Sequence, residues 1–158
     1  MPDVFTKEKR SQVMAGIRGS GNKATELALM KLLKAHGVTG WRRHKKINFK
    51  LPKNRGRDVE LKRTSSLSGR GSVRPDFVFP LNRVAVFVDG CFWHGCSTHC
   101  KLPSTNTSFW TAKLNGNKQR DKYVAASLRK NGWTVLRLWE HSLKQPTRFI
   151  KRLKLALG

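Results

Sequence analysis

A chain of 158 residues with 38% apolar content can bury one ordinary core without disulfide or oligomer support. Thirty-three Lys and Arg against nine Asp and Glu leave a formal charge of +24, spread along the sequence, so the partner is expected to be a polyanion. The longest apolar runs, such as Val84–Val88, fall far short of the ~20 residues of a bilayer span, and Met1–Lys7 lack the apolar stretch of a secretory signal; no membrane signature is present, and the expected partner is nucleic acid inside the cell, in the cytoplasm.

Residues 1–21 mix charge with Gly16, Gly19 and Gly21 and show no sustained period, which reads as a flexible or partly ordered basic arm. Asn22 is a suitable N-cap, Ala24–Ala35 are good helix formers with Leu29, Leu32 and Leu33 on one face, and Gly37 sits where a helix should stop. This helix opens a single domain over 22–158. Trp41–Phe49 suggests an exposed strand, and 51–73, rich in Lys, Arg, Ser and Gly, reads as a long loop. Structureless connections of that length tend to be functional, here as an excursion that contacts DNA.

Asp76–Phe79 is expected as a strand ended by Pro80. A turn at Leu81–Arg83 joins it in a hairpin to Val84–Val88, a β-branched run of the kind buried on both faces. A helix over Ser108–Lys130 ends at Gly132, Thr134–Trp139 forms another strand, and Pro146 opens a terminal helix with Phe149, Ile150, Leu153 and Leu157 on one face. The order α-β-β-β-α-β-α describes an α/β domain, a mixed sheet flanked by helices.

With so few carboxylates, each can be weighed alone. Asp76 opens an apolar strand after Arg74-Pro75, where a charge costs desolvation unless something occupies the site. Asp89 ends the adjoining strand, so the hairpin brings both to one region. Two hard oxygen ligands amid positive charge suit a Mg²⁺-assisted phosphodiester hydrolase; equally, Asp76 could start a turn and Asp89 cap one. Cys91, Cys96 and Cys100 lie within ten residues, interleaved with His94 and His99, and His141 follows a strand expected nearby. Three thiols are the wrong number for a disulfide framework, and in a reducing compartment that density points to a metal, with structural zinc taking four N or S ligands.

Arg74-Pro75-Asp76, then Phe87-Val88-Asp89-Gly90-Cys91-Phe92-Trp93-His94, with Gly132-Trp133 and Leu138-Trp139-Glu140, resembles the very-short-patch repair endonucleases, a branch of the restriction-endonuclease-like nucleases. The similarity runs from about Lys9 to His141. It implies that Asp76 is the central Mg²⁺ ligand and that the backbone carbonyl of Val88 is the next. His94 is then the general base on the attacking water, and Asp121 orients it; without the resemblance His94 would serve as well as a zinc ligand. Glu26 completes the site through water, unless it is simply a surface carboxylate at a helix start. Asp89 stands where some members carry His, as a holder of metal-bound water or a proton-transfer group. For the zinc, the resemblance implies Cys91, Cys96, His99 and His141, with Cys100 in reserve. Glu60-Leu61-Lys62 has an acid-x-Lys form but precedes the Pro-Asp strand, and reads as solvated surface.

Phe92 and Trp93 are consecutive aromatics in a polar, glycine-flanked loop. In the family the matching pair, with a methionine of the arm that would be Met14, wedges beside a mismatched base pair; the alternative is that these residues pack as core over the zinc. Lys7, Lys9, Arg10, Arg18, Arg55, Arg57, Lys62, Arg63 and Arg70 are expected at phosphates. The resemblance thus implies a monomeric Mg²⁺-dependent endonuclease that nicks one strand of double-stranded DNA at a T:G mismatch, in contact with other mismatch-repair proteins. Two alternatives stand beside it: a restriction-type endonuclease of the same fold, and a non-catalytic zinc-containing DNA-binding module.

Overall fold

The computed structural model describes residues 8, 23–50 and 70–158. Apart from Glu8, the basic arm with Met14, the N-cap Asn22 and the loop segment 51–69 with Glu60 and its basic residues lie outside the described residues.

The first helix begins as a π-helical turn, Lys23–Leu27, and continues as α1, Ala28–Ala35. It stops as expected at Gly37, whose φ of 66° places it in the left-handed region and lets Val38 N–H reach Leu33 O and Gly37 N–H reach Lys34 O, the paired bonds of a Schellman motif. The expected strand Trp41–Phe49 is two strands, β1 (Arg42–Arg43) and β2 (Ile47–Lys50), separated at His44, which has φ of 49°. The expected loop 51–73 is corrected at its described end. Its last residues, Arg70–Val73, form β3, antiparallel to β2 with Ile47 opposite Val73. Gly and Ser supply no side-chain signal for a strand, and it is the partner that makes this one.

The hairpin is β4 (Phe77–Phe79) and β5 (Val84–Asp89). Helix α2 (Thr107–Lys130) then crosses to β6 (Thr134–Trp139), which pairs parallel to β5; parallel neighbours need such a crossover. A 3-10 turn, Glu140–Lys144, leads to α3 (Thr147–Leu157). The main sheet has order β1-β4-β5-β6, antiparallel except for its last pair, and β2–β3 form a separate ribbon.

Period-2 alternation distributes the core. Val84, Val86 and Val88 of β5, with Phe77, Phe79, Leu136 and Leu138, face α1 and α3 through Leu29, Leu33, Phe149, Ile150 and Leu153. Val78, Ala85 and Val135 face α2 through Ala125 and Leu128, joined by Ile47 and Phe49 of the ribbon. Covering both faces explains why β5 is a continuous apolar run. It also fixes where its final carboxylate goes: Asp89 leaves the sheet on the α2 side.

Candidate active site and thiol–imidazole cluster

The carboxyl end of β5 is flanked by two groups of ionisable side chains. On the α1 side, Glu26, His44 and Asp76 bring one ligand atom each within 4.8 Å of the others. Asp76 precedes β4, and its Oδ2 accepts the Val88 N–H at 2.7 Å. Burial pushes the Asp76 carboxyl above its ordinary value; the Val88 N–H and His44 oppose the shift, and the neighbouring Glu26 and Asp89 add to it. Glu26 is only 4% exposed, so it is no surface helix carboxylate. Its Oε2 lies 2.8 Å from both Arg43 Nη2 and His44 Nε2.

On the α2 side stand Asp89, His94, Asp121 and Arg137. His94 Nδ1 is 2.5 Å from Asp121 Oδ2 and 3.7 Å from Asp89 Oδ1. Burial works against ionisation of Asp121, but the hydrogen bond to His94 and the charges of Arg137, His94 and Arg120 outweigh it and hold the carboxyl below its ordinary value. Asp89 is 6% exposed; Arg137 Nε donates to its Oδ2 at 2.7 Å and Arg137 Nη2 donates to its Oδ1. The two groups meet through the backbone, since Val88 bonds Asp76 and the next residue is Asp89.

The chain from Gly90 to Cys100 folds as successive turns. His94 N–H bonds Gly90 O, Cys96 N–H bonds Cys91 O, and Asn117 of α2 donates to Trp93 O at 2.8 Å. Gly95 has φ of 63°, a left-handed conformation that strains any residue with a Cβ, and a Cβ there would also displace the flexible end of the Lys118 side chain, so glycine suits the turn that lays the loop on α2.

Cys91, Cys96, His99 and His141 form one cluster with every ligand atom within 4.8 Å of the rest. Cys91 Sγ is 3.2 Å from His141 Nδ1, and Cys96 Sγ is 3.7 Å from both His99 Nδ1 and His141 Nδ1. The edges of a tetrahedron built on ordinary Zn–S and Zn–N bonds are about 3.3–3.8 Å; the donor set suits zinc, and the spacing lies close to that range, the 3.2 Å Cys91–His141 pair a little inside it. Cys96 is drawn down to about 7: burial resists ionisation, but hydrogen bonds from the His99 ring and from the Thr98 and His99 N–H groups prevail. Burial raises Cys91, against a hydrogen bond from His141 N–H. Cys100 stands outside this group, its thiol directed at Phe92 O.

Phe92 and Trp93 are half-buried and stack edge-on at 5.3 Å; both rest on Trp110 of α2, at 5.4 and 6.2 Å, and the exposed Phe109 adjoins it. Lys113, Lys118, Arg120 and Lys122 are exposed along the same helix.

Sequence reasoning missed three residues. Trp110 looks like any core position of an amphipathic helix, and His44 lies in a basic run with no apolar pattern to single it out. Arg137 did carry a signal, a charge within the apolar strand Thr-Val-Leu-Arg-Leu-Trp, the same kind that singled out Asp76.

A helix-flanked mixed sheet that gathers acids and an acid-held histidine at its strand ends, in so cationic a chain, defines a class: nucleases that cleave DNA phosphodiester bonds. The profile of the family described as DNA mismatch endonuclease Vsr matches residues 60–101. The chain is 36% identical over 147 residues to DNA mismatch endonuclease Vsr of Escherichia coli (strain K12), covering 91% of this chain and 77% of that protein. It is 35% identical over 147 residues to Type II nicking enzyme V.NmeDIP of Neisseria meningitidis serogroup C, covering 92% and 82%. A shorter match, 54% over 69 residues, to Type II nicking enzyme V.NaeI of Lentzea aerocolonigenes covers 44% of this chain and 42% of that protein. The chain belongs to the Vsr family of DNA mismatch endonucleases. Among the described residues no helix is long and apolar enough to cross a membrane.

Proposed function

We propose that this protein is a Mg²⁺-dependent endonuclease that nicks one strand 5′ to the mispaired thymine of a T:G mismatch, starting short-patch repair. The observation that carries the reading is the His94–Asp121 pair at 2.5 Å, set at the same strand end as an Asp76 whose carboxyl is held high by burial and by two neighbouring acids. Such an undercompensated carboxylate suits a cation. The names of the relatives, a mismatch endonuclease and nicking enzymes, agree with a single-strand cut at a mispair.

Asp76 would hold Mg²⁺ with the Val88 carbonyl, which in a strand points to the same edge as the N–H that bonds Asp76; Glu26 would reach it through water. When bound, the cation supplies Lewis-acid stabilisation of the charge on the phosphate and lowers the pKa of the attacking water. His94, with Nδ1 engaged by Asp121, presents Nε2 to take the proton from that water, and the carboxylate stabilises the imidazolium. Cys91, Cys96, His99 and His141 would hold zinc and thereby anchor the loop that carries His94. Phe92 and Trp93, backed by Trp110, form the wedge, and the exposed cations of α2 lie against phosphates.

The test is cleavage of matched and T:G duplexes, with and without Mg²⁺, by wild type and Asp76→Ala. A nick confined to T:G duplex in Mg²⁺, lost in the variant while binding persists, is expected. Double-strand cuts in matched DNA would favour a restriction-type enzyme, and binding without cleavage a non-catalytic module.

A further inference from the structure

Arg137 has no part in the reading above, yet it touches two carboxylates of the site and an aromatic ring. Its strand runs parallel to β5 with Arg137 opposite Phe87, so its side chain leaves the sheet on the α2 side, next to Asp89. There it lies with its guanidinium 5.1 Å from the centre of the Phe87 ring, engages both oxygens of Asp89, and places Nη2 3.2 Å from Asp121 Oδ2. This grip on Asp89 has the fork geometry that only arginine provides.

The consequence falls on His94. Its Nδ1 has two carboxylates in reach, Asp121 at 2.5 Å and Asp89 at 3.7 Å, and one N–H can point at only one of them. An Asp89 with unengaged oxygens would compete for that N–H and turn the ring. We infer that Arg137 is a positioning residue: by gripping both Asp89 oxygens it holds that carboxylate back from the ring, 3.7 Å away, leaves Asp121 as the nearer acceptor for His94 Nδ1, and so fixes the direction of Nε2. The inference rests on the assignment of His94 as base, and it gives Asp89 a part different from either expected of it, since each of its oxygens already accepts from the guanidinium.

The test is a pair of substitutions read by single-turnover nicking of a T:G duplex at saturating protein, with DNA affinity and melting temperature measured alongside. Arg137→Met should slow the step about 10- to 100-fold, as small misplacements of a catalytic group do, with DNA affinity unchanged. Asp89→Val in that background removes the competitor and should recover most of the rate. A double variant no faster than Arg137→Met, or a loss confined to DNA affinity, would overturn the inference. Removing one partner of a half-buried pair can unfold a protein; if Arg137→Met does not fold, Arg137→Lys takes its place, because an ammonium lacks the rigid planar fork that holds both oxygens, and Asp89→Val should again accelerate it. Nitrogen-15 NMR of the His94 ring gives a readout independent of cleavage. Wild type should show a fixed Nδ1–H tautomer that Arg137→Met or Arg137→Lys loses, and an identical tautomer in variant and wild type would count decisively against Arg137. Failure of the wild-type protein to nick would instead defeat the proposed function.

Discussion

The groups on the two sides of β5 are built from the same chemistry, carboxylates with an imidazole and an arginine, yet they sit in opposite electrostatic states. On the α2 side Arg137 and His94 compensate Asp89 and Asp121, and Asp121 ionises more readily than usual. On the α1 side Arg43 and His44 are spent on Glu26, and Asp76 ionises less readily. A compensated cluster fixes geometry, whereas an undercompensated one stores unfavourable charge that a bound cation relieves. In the proposed function, the difference would put orientation of the base on one side and cation binding on the other.

Asp76→Asn tests this most severely. Nicking should fall by about three orders of magnitude or more, as expected when a metal ligand is lost. In metal-free protein at neutral pH the same change should raise the melting temperature. A folded pKa above the ordinary value of 3.8 means that the carboxyl favours the fold below that value and that this contribution is lost as pH rises through the folded pKa, so the ionised group is a net cost at neutrality. Added Mg²⁺ should stabilise wild type and not the variant. A lowered melting temperature in metal-free Asp76→Asn would erase the contrast between the two sides.

His94→Ala should come next, slowing the chemical step by about 10²–10⁴ while DNA binding holds. A rate within tenfold of wild type would remove the imidazole from proton transfer.

The thiol–imidazole cluster should act on stability before chemistry. Chelation of zinc-loaded protein is expected to lower its melting temperature and its activity together. Cys96→Ser should lose zinc, while Cys100→Ser should retain it, by metal analysis of the purified proteins. Equal zinc content in both variants would show that Cys96 is not a ligand.

Much of this was legible in the residues because the signals were local. Thr134–Trp139 matches β6 in both ends, Gly132 terminates α2, and the apolar face of α3 contains the expected Phe149, Ile150 and Leu153. Cys91, Cys96, His99 and His141 come together although the last is far away in sequence, because β5 and β6 are adjacent and parallel and their ends coincide. What escaped was decided by partners. Arg70–Val73 is a strand because Ile47–Lys50 offers it an edge, and His44 matters because a left-handed kink between two short strands turns it toward Glu26. Neither fact has a periodicity. Arg137 escaped for a different reason, since the meaning of a charge in an apolar strand depends on which neighbour faces it across the sheet.

The smallest expected effect probes the compensated side directly. Because the folded pKa of Asp121 lies below the ordinary value of 3.8, its carboxylate should add stability that is present above that value and lost as pH falls through the folded pKa. Asp121→Asn should therefore melt a few degrees below wild type near neutral pH, and the gap should close as pH falls below the ordinary carboxylate value and the native carboxylate takes up its proton. Comparing the two proteins at each pH cancels the acid loss of any metal held by the thiol cluster, which both share. A gap that stayed constant across the range would mean that Asp121 contributes by packing and not by its charge, and His94 would then lack the ionised partner that the compensated cluster is built to supply.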